Sequence, residues 1–236
     1  GGWFRGVEKS TATTDLGMDF ATSASVAIGR YISGNESDVL TSYYGVLPNR
    51  NTNMSSRIQQ ARTWAVARGE ILEFVSGLID IDGTVSVLAC VVQINAGFSF
   101  RRLTPAVDSI LRFEDCNVSV LQESESISDS TDSNHYVQFV GDLNFKLNPA
   151  WWGALGYNTA DDFSALSACA SSEGIVQIRK GYKIVGSGGT PMITFKKVHL
   201  IDNGFINNGI AVLTINSCTS TENAYNNFRA LSGDFA

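Results

Sequence analysis

Charge is scarce in this chain. Only 17 % of its 236 residues are Asp, Glu, Lys or Arg, and 17 scattered Lys and Arg face 23 acids, for a net charge of −6. No basic cluster is available to neutralise a row of phosphates, so nucleic acid is excluded as a partner. Long apolar runs are missing too. None approaches the roughly eighteen residues a spanning helix needs, and membrane insertion is not expected. Gly1-Gly2-Trp3-Phe4-Arg5-Gly6 has neither the basic nor the apolar region of a signal peptide. Without an initiator Met, the chain is expected to be a piece of something longer. The four cysteines (Cys90, Cys116, Cys169, Cys218) lie far apart with no C-x-x-C pair, which argues against a zinc knuckle or a redox motif and for reduced core residues. His135 and His199 stand in no H-E-x-x-H arrangement and accompany no G-x-S-x-G elbow, so metalloprotease and serine-hydrolase chemistry have no foothold.

What is present is apolar residue, 44 % of the chain, together with 22 glycines and abundant Ser, Thr and Asn. That is enough to fill a core, in the proportions of an all-β protein with short strands and tight turns.

A repeat organises the middle of the chain. Tyr43-Tyr44-Gly45-Val46-Leu47 is echoed by Trp151-Trp152-Gly153-Ala154-Leu155, and thirteen residues past each Gly stands Ile58 or Leu166. Further on, Leu72-Glu73-Phe74 followed by Gly77-Leu78 is matched by Val176-Gln177-Ile178 followed by Gly181-Tyr182. The Gly-to-Gly spans differ by four residues, a difference expected in the helix or loop ahead of the strand, since connections tolerate length change and strands do not.

Each copy has the same physical grammar. Ser55 and Ser56, or Asp161 and Asp162, are placed to cap a helix. Ile58, Ala61 and Ala65, or Phe163, Leu166 and Ala170, give that helix one apolar face. Gly69 or Gly174 suits a left-handed exit, and alternating Leu72/Phe74 or Val176/Ile178 predicts a strand. Further strands are predicted at 85–92, 109–113, 136–140, 192–195 and 210–215, with Asp82-Gly83, Asn203-Gly204 and Asn208-Gly209 as turns. Short strands with regular turns fit a sandwich, a barrel or a solenoid. The amphipathic helix favours the solenoid, whose first coil exposes apolar side chains and unpaired strand edges that a helix laid across the end would cover.

The order aromatic-Gly-Ala, polar run, Asp161-Asp162, amphipathic helix, Gly174, strand, Gly181-Tyr182 resembles the opening of the pectate-lyase-like superfamily used by bacteriophage tailspikes and tail fibres. The likeness covers about the last third of the chain, with an echo from Tyr43 to Ile81 in which Asn53 and Met54 occupy the places of Asp161 and Asp162. It implies a right-handed parallel β-helix, a homotrimer, attachment to other phage tail proteins in the virion, and a host surface polysaccharide as target. The expected division is a connector or neck at 1–42, a first β-helix segment at 43–149 and a second at 150–236, the latter reading as the first coils of a longer solenoid. Each segment is opened by a short capping helix. The connector is rich in Ser, Thr, Ala and Gly, with an apolar stretch at Val26-Ala27-Ile28 leading to Tyr31-Ile32.

No catalytic constellation stands out, and no motif calls for a cofactor or a metal. Asp161 and Asp162 could be imagined as the two carboxylates of a glycosidase, but they sit where a helix wants caps. Glu114, Asp115, Asp202 and Glu222 are the remaining acidic candidates. Asp129 and Asp132 lie in an acidic, Ser-rich run at 122–134 that reads as an exposed loop and lacks EF-hand spacing for calcium. Gly186-Ser187-Gly188-Gly189-Thr190 has no phosphate-loop Lys and reads as a turn. Asn35, Asn53 and Asn117 begin chance-level glycosylation sequons. The aromatic pairs Tyr43-Tyr44 and Trp151-Trp152 suit packing beside the helix better than stacking on sugar. The leading expectation is therefore a structural and host-recognition part of a phage spike. A polysaccharide depolymerase is the alternative from another class, and a free secreted pectate-lyase-like enzyme the third, for which no Asp cluster with a nearby basic residue is found.

Overall fold

In the computed structural model, residues 3–8, 19–21, 26–31, 38–41, 46, 48, 51–121, 126–128, 132, 134–157, 160–185, 192–201, 205–208, 212–220 and 229–230 are described. Three strands come first: β1 (Trp3–Glu8), β2 (Asp19–Ala21) and β3 (Val26–Tyr31). They form an antiparallel sheet in the order β1-β3-β2. Every sheet after it is parallel.

The first solenoid starts with β4 (Asp38–Leu40), passes through helix α1 (Ser55–Arg68) and then winds. Its first coil is β5 (Ile71–Phe74), β6 (Gly77–Ile81) and β7 (Gly83–Leu88). The second is β8 (Val91–Ile94), β9 (Phe98–Arg102) and β10 (Ser109–Glu114). In the third, β11 (Asn117–Val120) and β12 (His135–Val140) flank a single bridge from Ser128 to Phe100. Three parallel sheets result: β4-β5-β8-β11, β6-β9 and β7-β10-β12.

The second solenoid repeats the plan. It opens on β13 (Lys146–Leu147), a 3₁₀ turn at Pro149–Trp152 and helix α2 (Phe163–Ala170). Coils follow as β14 (Ile175–Ile178), β15 (Gly181–Ile184) and β16 (Met192–Phe195), then β17 (Lys197–Leu200), β18 (Phe205–Asn208) and β19 (Val212–Ile215). The final strands are β20 (Cys218–Ser220) and β21 (Arg229–Ala230). The fold is a parallel β-helix of about six coils, with two α-helices among the described residues. β4 pairs with β5 and β13 with β14. The sheets thus pair 38–40 and 146–147 with the first strand of each run of coils.

Parallel register stacks like side chains into rows. Leu72, Val92 and Val118 form one inward row, Val85, Leu111 and Val137 another, and Val87, Phe113 and Phe139 a third. Phe113 and Phe139 stack with ring centroids 5.4 Å apart, and Trp152 meets Phe139 edge-on at 5.8 Å. Burying each such ring stabilises the fold by about 1.5–3 kcal/mol. One continuous core runs through both solenoids.

The strand expected over 85–92 is two strands with a corner between them. Ala89, Asp115 and Gly141 follow Leu88, Glu114 and Val140, which are in register, and all three have positive φ (49°, 51° and 100°). The chain turns sharply at the same place in each coil. The N–H groups of Ala89 and Asp115 donate to the carbonyls of Glu114 and Val140 in the coil below. Gly141 is the tightest of the three, since a Cβ there would lie 2.2 Å from Asp115 Oδ1.

Two backbone hydrogen bonds recur at equivalent places in the repeat. Val46 N–H donates to Thr41 O at 3.3 Å, and Ala154 N–H to Pro149 O at 3.3 Å. Ile58 N–H donates to Met54 O and Leu166 N–H to Asp162 O. Of the expected caps Asp161 serves and Ser55, Ser56 and Asp162 do not: the N-cap residues are Met54 and Asp162, and neither bonds its helix through the side chain. Asn53 Oδ1 accepts from Ser55 N–H at 2.9 Å and Asp161 Oδ1 from Phe163 N–H at 3.1 Å, so the residue one place earlier supplies the oxygen in both copies. Gly69 ends α1 at φ 67°, as its spacing predicts. Gly174 does not have a left-handed φ; α2 ends at Ser171, and Gly174 is small because a Cβ would approach Leu143 and Leu147 to within 3.0 Å. The four-residue length difference falls between Ile58 or Leu166 and the next strand, where α1 is 14 residues long and α2 is 8.

Candidate functional site

The helices do what a solenoid end requires. α1 lies along the free edge of β7, and Ser55 Oγ, Gln59 Nε2 and Arg62 Nη2 donate to the carbonyls of Asp82, Ser86 and Leu88 at 2.9, 2.8 and 2.9 Å. These three side chains share one helix face, and the strand acceptors that would otherwise template a foreign strand are occupied. The far end of the first solenoid is sealed by the segment that opens the second. Trp152 Nε1 donates to Val137 O at 2.7 Å, Ser172 Oγ accepts from Phe139 N–H, Glu173 N–H donates to Phe139 O, and Gly141 N–H donates to the Glu173 carboxylate. Trp151 and Trp152 are buried; they pack, and present no face to a sugar.

Asp161 and Asp162 are adjacent but have separate structural duties. Besides capping α2, Asp161 accepts from Val185 N–H at 2.9 Å. Asp162 is 3 % exposed and accepts from the N–H groups of Leu155 and Gly156. Burial pushes its carboxyl above the usual range, against the pull of those donors. His135 is fully buried with its ring edge-on to Phe100 at 4.9 Å. Asp132 takes the Arg102 guanidinium and the Asn134 N–H. Burial works against Asp132, yet these donors hold its carboxyl below the usual range. Of the cysteines, Cys90, Cys116 and Cys169 are buried as expected but Cys218 is exposed, and none is bridged. Burial raises the Cys90 thiol to about 11 and Cys169 well up.

Glu114 lies on the outer face of β10 with Arg112, 3.2 Å away. Asp115 occupies the left-handed corner, and there it shares a surface hollow of about 350 Å³ with Cys116, Asn117, Asp142 and Asn144. Asn144 Nδ2 donates to Asn117 Oδ1 at 2.9 Å across it. Sequence reasoning singled out Asp115 but not Asp142, whose arrival depends on coil stacking. Asp202, Glu222, Asp129, Asn35, Tyr43, Tyr44, the 186–190 turn and the Asn203-Gly204 turn lie outside the described residues.

Two polar networks had no signal in the sequence. Asp80, buried under residues 51–54, takes the Arg101 guanidinium, which also donates to Asn51 Oδ1 at 2.6 Å. On the sheet face of β5 and β8, Gln93 Nε2 donates to Asn95 Oδ1 at 3.0 Å and Asn95 in turn to Glu73. The matching face of the second solenoid carries the row Gln177, His199 and Thr219 in register, with His199 Nδ1 2.9 Å from Thr219 Oγ1.

Among the described residues no group of three or more His, Cys, Asp or Glu is arranged to hold a metal ion, and no helix is long and apolar enough to cross a membrane. No protein family and no curated protein matches the chain. By its fold it is a parallel β-helix protein whose described coils form two successive runs, each preceded by a helix.

Proposed function

We propose that the chain is a structural and host-recognition part of a bacteriophage tailspike or tail fibre, held in the virion as a homotrimer with other tail proteins and directed at host surface polysaccharide. The observation that carries this reading is the seal between the solenoids. One segment closes the first core and opens the second, so two stacked β-helices form a single stiff body. Such a body holds a binding surface at a fixed distance from its attachment. Outward rows of Glu, Gln, Asn, His and Thr supply the hydrogen-bonding groups that sugar hydroxyls require. The pectate-lyase-like order of motifs points the same way. Light scattering tests it: a solution mass near three chains supports the spike, and a clean monomer counts against it.

A polysaccharide depolymerase is the second reading, favoured by one observation. Asp115 and Asp142 line the same hollow, and glycoside hydrolysis uses paired carboxylates. Reducing ends released from capsule or O-antigen by the chain, and lost in Asp115→Asn and Asp142→Asn, would establish it.

A further inference from the structure

Charge is unevenly distributed along the chain. Residues 146–200 hold six Lys or Arg and three Asp or Glu, a local net charge of +3 in a chain whose total is −6. The β-helix concentrates part of this excess on one face. Lys146, Ile175 and Lys197 stand in register on β13, β14 and β17, so the backbones of the two lysines are two rungs apart, roughly 10 Å. Both lysines are exposed and the Ile between them is half-buried.

Beside this row runs the second one, Gln177, His199 and Thr219. Arg179 is exposed at the end of β14 and donates to Gln177 Oε1 at 2.8 Å. Lys196 is different, because its ammonium pairs with Glu173 at 2.9 Å. Partial burial, and then the Lys146 charge, hold the His199 imidazole below its usual range, which places Lys146 within electrostatic reach of the second row. The equivalent face of the first solenoid has Asp38, Ile71 and Val91 in register in place of the lysine row, and Glu73, Gln93 and Ser119 in place of the histidine row. The two faces share one backbone plan and differ in sign.

We infer that the outer face of the β13-β14-β17-β20 sheet binds an anionic polysaccharide, with Lys146 and Lys197 taking carboxylates on alternate sugars and Gln177, His199 and Thr219 taking hydroxyls. An extended acidic chain lying across the rungs meets one cation at each end of the Lys146–Ile175–Lys197 row, and Ile175 offers an apolar surface to the sugar ring between them. A neutral glycan would gain no charge-assisted contact from the two ammonium groups. This inference rests on the polysaccharide-directed reading above and adds the chemical class of the sugar.

The test compares carboxymethyl-dextran with unmodified dextran of the same length, using the whole chain in a solid-phase binding assay, with duplex DNA as a second polyanion. The expected result is preference for the carboxylated polymer over both others. In the Lys146→Gln/Lys197→Gln double variant the affinity should fall by about tenfold or more, the loss of two charge-assisted contacts. Lys196→Gln should bind like the parent. The Lys146→Gln/Lys197→Gln variant is checked for an unchanged unfolding midpoint, since both side chains are exposed. Equal binding of the two dextrans, an unaffected double variant, or DNA bound as tightly as carboxymethyl-dextran would each overturn the inference. Failure to bind either dextran by a protein of three-chain mass overturns this inference and leaves the spike reading standing; the same failure in a monomer removes both.

Discussion

The indole N–H of Trp152 donates to the carbonyl of Val137 across 2.7 Å, tying the opening turn of the second solenoid to the last strand of the first. Both partners are buried, so the carbonyl has no water to fall back on. Trp152→Phe keeps most of the packing on Phe139 and strands that acceptor. A loss of about 1–3 kcal/mol is expected in urea unfolding. Trp152→Ala adds a cavity and should cost about 3–5 kcal/mol.

Asn53 and Asp161 perform the same cap with different side chains, which separates the role of the oxygen from that of the charge. Asp161→Asn should leave thermal stability close to the parent. Asp161→Ala and Asn53→Ala should each lose about 1 kcal/mol. If Asp161→Asn were as damaging as Asp161→Ala, the negative charge rather than the acceptor would be what matters at that position.

Gln59 and Arg62 cover carbonyls on the free edge of β7. The double variant Gln59→Ala/Arg62→Ala should lose about 1–3 kcal/mol in total. It should also self-associate at concentrations where the parent does not, because an uncovered strand edge templates another. Sedimentation velocity on the folded variant reads this directly.

Glu173 and Asp162 pull acid stability in opposite directions. The Lys196 ammonium, and then the Gly141 N–H, hold Glu173 below its usual range. Its contribution is present above the unfolded value and disappears as pH falls through the lower folded one. Asp162 is raised by burial, so protonating it in acid favours the folded state. Between about pH 5 and pH 3 the midpoint of urea unfolding should fall less steeply in Glu173→Gln than in the parent, and more steeply in Asp162→Asn.

The repeat was legible because it combines rare features: adjacent aromatics before a Gly, and an apolar residue thirteen places on. The helices were legible by their apolar faces, and from them the solenoid, because a lid implies an open end. The corners were not. Ala89 carries no Gly or Asn signal, yet the coil requires a positive φ there, and the run at 85–92 therefore read as one strand. Strands such as β11 and β17 are four residues long with half their side chains outward, too short for alternation to register. The seals were invisible for another reason: the partners of Trp152 and Arg62 are backbone carbonyls, which every residue has, and only winding decides which ones arrive. The same holds for Asp142 joining Asp115 and for the lysine row, whose members are 51 residues apart in sequence.

Within each solenoid the hydrogen bonds between coils run along the long axis, so a pull from end to end loads the coils in series. At the junction the regular ladder gives way to a handful of contacts from Trp152, Ser172 and Glu173, with different lengths and directions. The two stacks are therefore joined there by a few separate contacts rather than by a strand ladder, and a substitution at the junction is expected to weaken the connection without removing a rung from either stack.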